Sequence, residues 1–205
     1  MRVLLVLFFL SVFILPSRGQ NQTEMNNEKA GITFLFPWLN YYHYVDYQKR
    51  EEAKKFGFFG IGLGLYYKTG STKISFNVST TDDLASPIAQ INYTKTGPQT
   101  NIGSSFGELL YHHPIYQSIH FIGGFNFSSY NFHFSSGNDS IRSYIKTDNT
   151  LGMTIGLEYR FDNNYSVAAI YRPALASFET DNHYRHLIAV ELRIDIDVWK
   201  KKRIN

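Results

Sequence analysis

The sequence predicts an all-β fold, an eight-stranded antiparallel transmembrane up-and-down β-barrel. Three observations lead to this prediction. Large apolar residues alternate with small or polar residues along most of the chain, and a period of two is typical of strands. Tight turns and long polar loops alternate as the connections, and aromatic residues gather near both ends of the strands. Transmembrane barrels combine these features, because their outer face meets lipid and aromatic rings favour its boundaries with water.

The first residues predict a secretory signal peptide at 1–19. Met1-Arg2 precedes a run from Val3 to Leu15 that is apolar in all but one position, and Pro16 comes next. This run is too short for a membrane helix. We therefore expect an exported chain with three further parts: a flexible lead-in at 20–30, the barrel at 31–199 and a basic tail at 200–205.

Composition excludes several classes of protein. The sequence contains no cysteine, which excludes a disulfide scaffold, a thiolate zinc site and a lipid anchor on cysteine. The net charge of +3 is too small to indicate nucleic acid as a partner, so none is expected. The aromatic content of 17% is high beside a mean hydropathy of −0.24, which favours rings placed at a boundary rather than in an ordinary aliphatic core.

Eight segments carry the strand pattern. Their approximate bounds are 31–44, 57–68, 71–80, 100–111, 115–135, 150–161, 165–173 and 183–199. The second, fourth and sixth end in the tight turns KTGSTK, HHPI and FDNNY, and the other connections are longer and polar. Most segments have the 9–11 residues, or more, that a tilted membrane crossing needs.

The second segment, GFFGIGLGLYYK, shows the pattern most sharply. Its glycines at 60, 62 and 64 alternate strictly with large apolar residues. A phosphate-binding glycine loop would instead place them in a turn before a helix. We interpret the segment as a membrane-crossing strand whose glycines point into a narrow lumen. The residues predicted to face lipid in this and two other strands are Ile61, Leu63, Leu65, Leu151, Ile155, Leu157, Val190, Leu192 and Ile194.

Charged residues occur on the opposite face of the strands. The predicted interior polar network consists of Lys68, Lys73, Glu108, Glu158, Arg160, Glu191, Arg193, Asp195 and Asp197. Glu108 joins this set only if a bulge near Gly107 shifts the register, since it would otherwise face lipid at a cost. We interpret the set as a salt-bridge network that satisfies a polar interior. A proton or ion pathway is the alternative.

These features together resemble the small outer-membrane β-barrel proteins of Gram-negative bacteria, over about Gly31 to Trp199. The sequence stretch YYHYVDY…GFFGIGLGLYYK resembles the sequences of a barrel group from Bacteroidota in particular. The resemblance implies outer-membrane lipid as a partner, short periplasmic turns, periplasmic termini and long extracellular loops. One departure is that KKKRIN comes after Trp199, whereas such barrels usually end on an aromatic residue that assembly machinery reads.

Few residues suggest chemistry. Outer-membrane lipid A deacylases, which this chain resembles in being eight-stranded barrels, use a His-x-Ser pair on one strand as base and nucleophile. Here His133 and Ser135 have that spacing, but the match is three residues long, and SGND does not reproduce the residues after the serine in those enzymes. His112-His113 is expected to face solvent in the HHPI turn. His183 and His186 lack a supporting carboxylate, so neither a metal nor a cofactor is predicted.

The predicted function is a non-enzymatic structural or surface-interaction role through the extracellular loops. A partner is expected at loops 81–99 and 135–148, and the first is expected to pair with the outer end of the fifth strand. One alternative is a lipid-modifying enzyme that uses His133 and Ser135. Another is a secreted lipocalin-like carrier, which would turn the apolar face inward around an apolar ligand.

Overall fold

The computed structural model describes residues 27–46, 51–82, 99–135, 144–178 and 183–202. Those residues form nine strands, and no helix among them is long and apolar enough to cross a membrane. The strands are β1 (Asn27–Asp46), β2 (Glu51–Gly57), β3 (Phe59–Thr69), β4 (Thr72–Asp82), β5 (Gln99–Tyr116), β6 (Ile119–Ser135), β7 (Tyr144–Arg160), β8 (Tyr165–Ser177) and β9 (His183–Lys202). The predicted signal peptide and most of the two predicted loop sites, at 83–98 and 136–143, lie outside the described residues.

The strands close into one antiparallel ring. Each strand from β3 to β8 pairs with the next one along the chain, and β1 pairs with both β3 and β9. β2 and β3 together occupy a single place in the wall, because β1 pairs with β3 through Leu35 and then with β2 from Asn40 onward. The wall therefore has eight positions although nine strands form it. The predicted all-β antiparallel barrel is confirmed.

One end of the ring, which we call the turn end, carries the tight connections. Gly70 turns there with φ of 59°, Gln117 with φ of 33°, and residues 161–164 link β7 to β8. Asn27 pairs with Lys202 at the same end. The opposite end, the loop end, carries the connections that the structure leaves undescribed. The predicted long connections at 45–56 and 174–182 are wrong, because β2 and the end of β8 occupy large parts of them, whereas 83–98 and 136–143 remain long connections at the loop end.

The predicted HHPI turn is wrong. β5 continues through His112, His113 and Pro114 to Tyr116, and the turn falls at Gln117-Ser118. Proline lacks the N–H that a strand ladder needs, and the β5–β6 register shifts between Pro114 and Tyr116. That irregularity lets the strand pass the proline instead of ending before it.

Several strands are longer than the alternation indicated. β1 begins at Asn27, inside the predicted lead-in, and β7 begins at Tyr144 rather than near 150. β9 runs to Lys202, so the first three residues of the predicted tail pair with β1. Residues 203–205 lie outside the described part of the chain. Lysines can extend a strand beyond an apolar belt because their side chains reach water there.

The two faces of the wall differ in chemistry. On β3, Ile61, Leu63 and Leu65 are 51–62% exposed on the outer face, whereas Gly60 and Gly64 are buried on the inner face. A Cβ added at Gly64 would collide with the side chain of Asn77 on β4. The lumen is therefore too narrow at this level for a second side chain, which explains the bare face of GFFGIGLGLYYK.

The interior is more apolar than the sequence suggested. Along β5 the inward side chains include Ile102, Phe106 and Leu110, each about 1% exposed. A cluster near the loop end consists of Tyr42, Ile102, Phe106, Tyr130, Leu187 and Ala189. A second cluster consists of Leu110, Ile122, Ala168 and Ile170. The expectation that inward positions would be glycine, serine, threonine or charged is thus wrong for these strands.

Candidate functional site

A network of four buried charged side chains crosses the lumen. Arg172 of β8 donates from Nε to Glu108 Oε1 over 2.7 Å and from Nη2 to Glu108 Oε2 over 2.9 Å. Its Nη2 also donates to Glu191 Oε1. Arg193 binds the other oxygen of Glu191 over 2.8 Å. We call these four residues the central network.

The central network is balanced in charge and closely packed. Its two carboxylates face two guanidinium groups, and each of the four residues is at most 1% exposed. Thr154 of β7 adds a hydrogen bond of 2.6 Å to Glu108 Oε1, and the guanidinium of Arg172 lies 4.8 Å from the ring centre of Phe106. Buried charges are tolerated when they are paired and hydrogen-bonded in this way. The network ties β5, β7, β8 and β9 across the interior.

Glu108 reaches this network without the bulge that the sequence seemed to require. The β4–β5 register runs unbroken from Lys73↔His112 to Asp82↔Gly103, and the β5–β6 register is continuous past Gly107. Glu108 shares its inward face with Phe106 and Leu110. The expected bulge near Gly107 is wrong, because Phe106, Glu108 and Leu110 share the inner face in an unbroken register.

A second network lies nearer the turn end. Lys73 Nζ is 2.8 Å from Asp195 Oδ2 and 4.0 Å from Glu158 Oε1. The oxygens of Glu158 are also shared by His112 Nδ1 at 2.9 Å, Ser166 Oγ at 2.7 Å and Arg160 Nη2 at 3.1 Å. We call this set the lower network. Its two cations and two carboxylates again balance.

His112 was expected in a solvent-exposed turn, and the structure places it inside the barrel. Its side chain is fully buried in the lower network, where Nε2 also lies 3.1 Å from Ser75 Oγ. The signal that could have found it is its spacing from Glu108 and Leu110, since residues two apart share a face of a strand. The proline two positions later concealed that pattern.

The remaining predicted charges lie at the mouth of the turn end. Asp197 accepts a hydrogen bond from Tyr66 and lies 3.0 Å from Lys29 Nζ and 3.1 Å from Lys200 Nζ. Lys68 is half-buried on β3 and lines the mouth. The structure thus brings all nine predicted interior charges to the lumen or its mouth, in separate groups.

Two further buried ions were missed by sequence reasoning. Arg185 of β9 pairs with Asp148 of β7, and both are at most 1% exposed. Asp148 also accepts a hydrogen bond of 2.9 Å from Ser177. Arg172 of the central network was missed as well. Its position two residues after Ile170, on the inner face of β8 and inside the predicted segment 165–173, could have found it.

The candidate catalytic pair lies on the outer part of β6. The backbone of His133 pairs with Asn101 and Ile145, and that of Ser135 pairs with Gln99. The side chains of both residues lie outside the part of the chain that the structure describes. Their catalytic role stays a prediction. Among the described residues, no group of three or more histidines or carboxylates could hold a metal ion.

The residues predicted to face lipid all lie on the outer wall. Leu151 and Leu157 are 45% and 53% exposed, and Ile155, Val190, Leu192 and Ile194 are partly exposed. Their inward neighbours Thr154, Glu191 and Arg193 are buried. Contact with lipid itself stays a prediction.

Comparisons with known proteins find the fold but no sequence family. No protein-family model and no curated protein sequence matches the chain. Neisserial surface protein A matches with a TM-score of 0.54 and 13% identity, over 82% of this chain and 99% of that chain. Ail, the attachment invasion locus protein of Yersinia pestis, matches with a TM-score of 0.54 and 11% identity, over 83% and 99%. Ail in complex with the heparin analogue sucrose octasulfate gives 0.53 and 11%, over 84% and 100%.

Both similar proteins are eight-stranded outer-membrane barrels. At such low identity the likeness shows the fold alone, and that fold is the one of the small outer-membrane β-barrel proteins. The finer resemblance to a group from Bacteroidota is not supported.

Proposed function

We propose that the protein is a non-enzymatic β-barrel of the outer membrane, with a structural or surface-interaction role exercised through its extracellular loops. One observation carries this proposal: the interior charges are buried and paired with each other, whereas the outer wall exposes large apolar side chains. A wall of this kind suits acyl chains outside and a filled lumen inside.

The proposed orientation in the membrane follows from the lengths of the connections at the two ends. Bacterial barrels have short periplasmic turns and longer extracellular loops, so the turn end and both termini would face the periplasm. Outer-membrane lipid would then surround the belt that contains Leu63 and Leu157. Trp199 at the turn end and Trp38 toward the loop end are 45% and 72% exposed, which fits rings placed near both boundaries.

The extracellular loops are the proposed place for a partner, at 81–99 and 135–148. The described bases of these loops support an extended outer wall, because Gln99–Ile102 of β5 pairs with Phe132–Ser135 of β6. Ail has been solved with a heparin analogue. That complex supports the idea that a barrel of this fold can present a ligand-binding surface.

The lipocalin-like alternative disagrees with the directions in which the apolar and polar faces of the wall point. It required the apolar face of strands such as β3 to turn inward, but Ile61, Leu63 and Leu65 lie outside. The lipid-modifying alternative rests only on the spacing of His133 and Ser135, and no described contact favours it.

Fractionation of a Gram-negative host that expresses the full chain tests the proposal. We expect the mature protein in the outer-membrane fraction, released by detergent but not by high salt. A soluble periplasmic protein of the host serves as the control for leakage. Recovery of the chain in the soluble periplasmic fraction would overturn the proposal.

Proteolysis of intact cells tests the orientation. Trypsin should cut within the loop at 81–99, at Lys95, while the turn-end sites Lys201 and Lys202 stay uncut until the outer membrane is permeabilised. Cleavage at the turn end of intact cells, with the loop intact, would mean that the barrel is inverted.

A further inference from the structure

The mouth of the barrel at the turn end holds a polar cavity of about 250 Å³. One water molecule needs ~10–15 Å³ of such volume, so the cavity is many times larger than one water. β3, β6, β7 and all three tight turns contribute to its lining. Its lining residues are Lys68, Ser71, Gln117, Ser118, His120, Arg160, Phe161, Asp162 and Asn163. The cavity is separate from the central network.

The charged lining of the cavity is mainly basic. Lys68 and Arg160 line it from opposite parts of the wall, and among the described lining residues Asp162 alone is acidic. Arg160 uses Nη2 to bind Glu158, but its Nε is buried and has no hydrogen-bond partner in the part of the chain that the structure describes. The guanidinium therefore keeps a donor for a ligand at the mouth, and its planar fork suits an oxyanion.

His120 gives a second and independent indication of a ligand. Its side chain is 3% exposed and lines the cavity, and among the described residues neither ring nitrogen has a side-chain hydrogen-bond partner, although the backbone of Ser118 lies beside the ring. Its neighbour across the strands, Glu158, already accepts hydrogen bonds from His112, Ser166 and Arg160. A buried imidazole without partners costs free energy, so a group that enters the cavity and accepts its N–H would be stabilised.

We propose that this cavity binds a small oxyanion, a phosphate or a carboxylate. Arg160 Nε and the N–H of His120 donate to it, Lys68 supplies a neighbouring positive charge, and the hydroxyl groups of Ser71 and Ser118 complete the polar rim. Charge-assisted hydrogen bonds of this kind are stronger than neutral ones. The proposal does not depend on any role of the loops at the other end.

Histidine-selective ¹⁵N labelling of the folded protein tests the site directly. The protein is held in maltoside micelles, which contain no phosphate, at an ionic strength kept constant with sodium chloride. Inorganic phosphate is titrated first and acetate second, and a His120→Gln variant assigns the resonances. The ring signals of His120 should shift saturably, with a dissociation constant of about 1–10 mM, and those of His43 and His113 should not.

Two lysine variants distinguish phosphate binding at a defined site from a general effect of the protein's charge. Lys68→Gln should weaken phosphate binding about three- to tenfold. The matched control Lys201→Gln removes an exposed charge at the same end of the barrel and should leave the constant unchanged. Equal weakening in both variants, or a non-saturating drift of all histidine signals, would mean a water-filled mouth and overturn the proposal.

The same measurement in lipid nanodiscs without added phosphate distinguishes a lipid headgroup from a soluble anion as the ligand. A His120 shift that requires anionic phospholipid, and is absent in zwitterionic lipid, would assign the site to a lipid headgroup. A shift caused only by the free ions would assign it to a soluble ligand. Absence of a saturable shift under every condition would refute the site itself.

Discussion

Replacing Glu108 by leucine should destabilise the protein more than replacing Glu108 and Arg172 together. Arg172 is 1% exposed and makes two hydrogen bonds to Glu108, at 2.7 and 2.9 Å. The single change removes both bonds and leaves the central network with two guanidinium groups and only the carboxylate of Glu191. Stripping one partner from a buried pair costs about 3–5 kcal/mol, because the other charge stays uncompensated.

The double variant Glu108→Leu/Arg172→Leu restores the charge balance. Glu191 keeps Arg193, which donates to it at 2.8 and 3.2 Å, and the two leucines can pack on the ring of Phe106. Apolar replacement of a whole buried pair is often neutral or stabilising. We therefore expect the double variant to be more stable than either single variant and within about 2 kcal/mol of wild type.

Urea titration in lipid vesicles, monitored by tryptophan fluorescence, measures these differences. Trp38 and Trp199 are both on the outer face and should report loss of the lipid environment. As a control, Lys200→Gln breaks a pair with Asp197 in which Lys200 is 64% exposed, so it should cost under about 1 kcal/mol. The reasoning fails if Glu108→Leu is as mild as this control, or if the double variant is less stable than both single variants.

Two further predictions concern the two faces of the wall. Ile155→Arg should cost ~2–4 kcal/mol in vesicle refolding, because the residue lies on the outer face, whereas Asn163→Arg in an exposed turn should cost little. Equal effects would reject the assignment of Ile155 to lipid. Gly64→Ala should cost ~1–3 kcal/mol, since its Cβ would collide with Asn77. Gly107→Ala, which meets nothing within 4 Å, should be tolerated, and the reverse order in thermal unfolding would contradict this packing.

Much of the fold could be predicted from the sequence because several strands have one face that is almost entirely apolar. Along Gly60–Leu65 of β3 and Val190–Val198 of β9 the opposite face is glycine or charged, so the period of two assigns the side chains of these stretches without ambiguity. β5 is different. Phe106, Leu109 and Leu110 supply apolar residues to both faces, and only pairing with β4 and β6 decides that Phe106 and Leu110 point inward.

The sequence predicts many of the charged residues inside the barrel, but not which of them contact each other. The sequence places Glu158, Glu191 and Arg193 on inner faces, since their neighbours on the strand are apolar. It does not determine how far the strands are shifted along one another. This shift places Arg172 of β8 beside Glu108 of β5, 64 residues away. The sequence also cannot show that Lys73 lies with Asp195, 122 residues away. Those partners depend on the closed ring.

The interior networks bear on where a function could reside. Glu108, Arg172 and Glu191 span the lumen from three strands and bind one another through short hydrogen bonds, so a substrate or ion would have to break several charge-assisted hydrogen bonds to pass. The paired charges of the described interior fix the wall, and at the turn end buried groups without a side-chain partner also reach a cavity. At the turn end those groups are His120 and Arg160. At the loop end the wall is held by Arg185 and Asp148, and this pair fixes the bases from which the loops rise. Because these charges pair within the barrel, loop sequences can change without disturbing them.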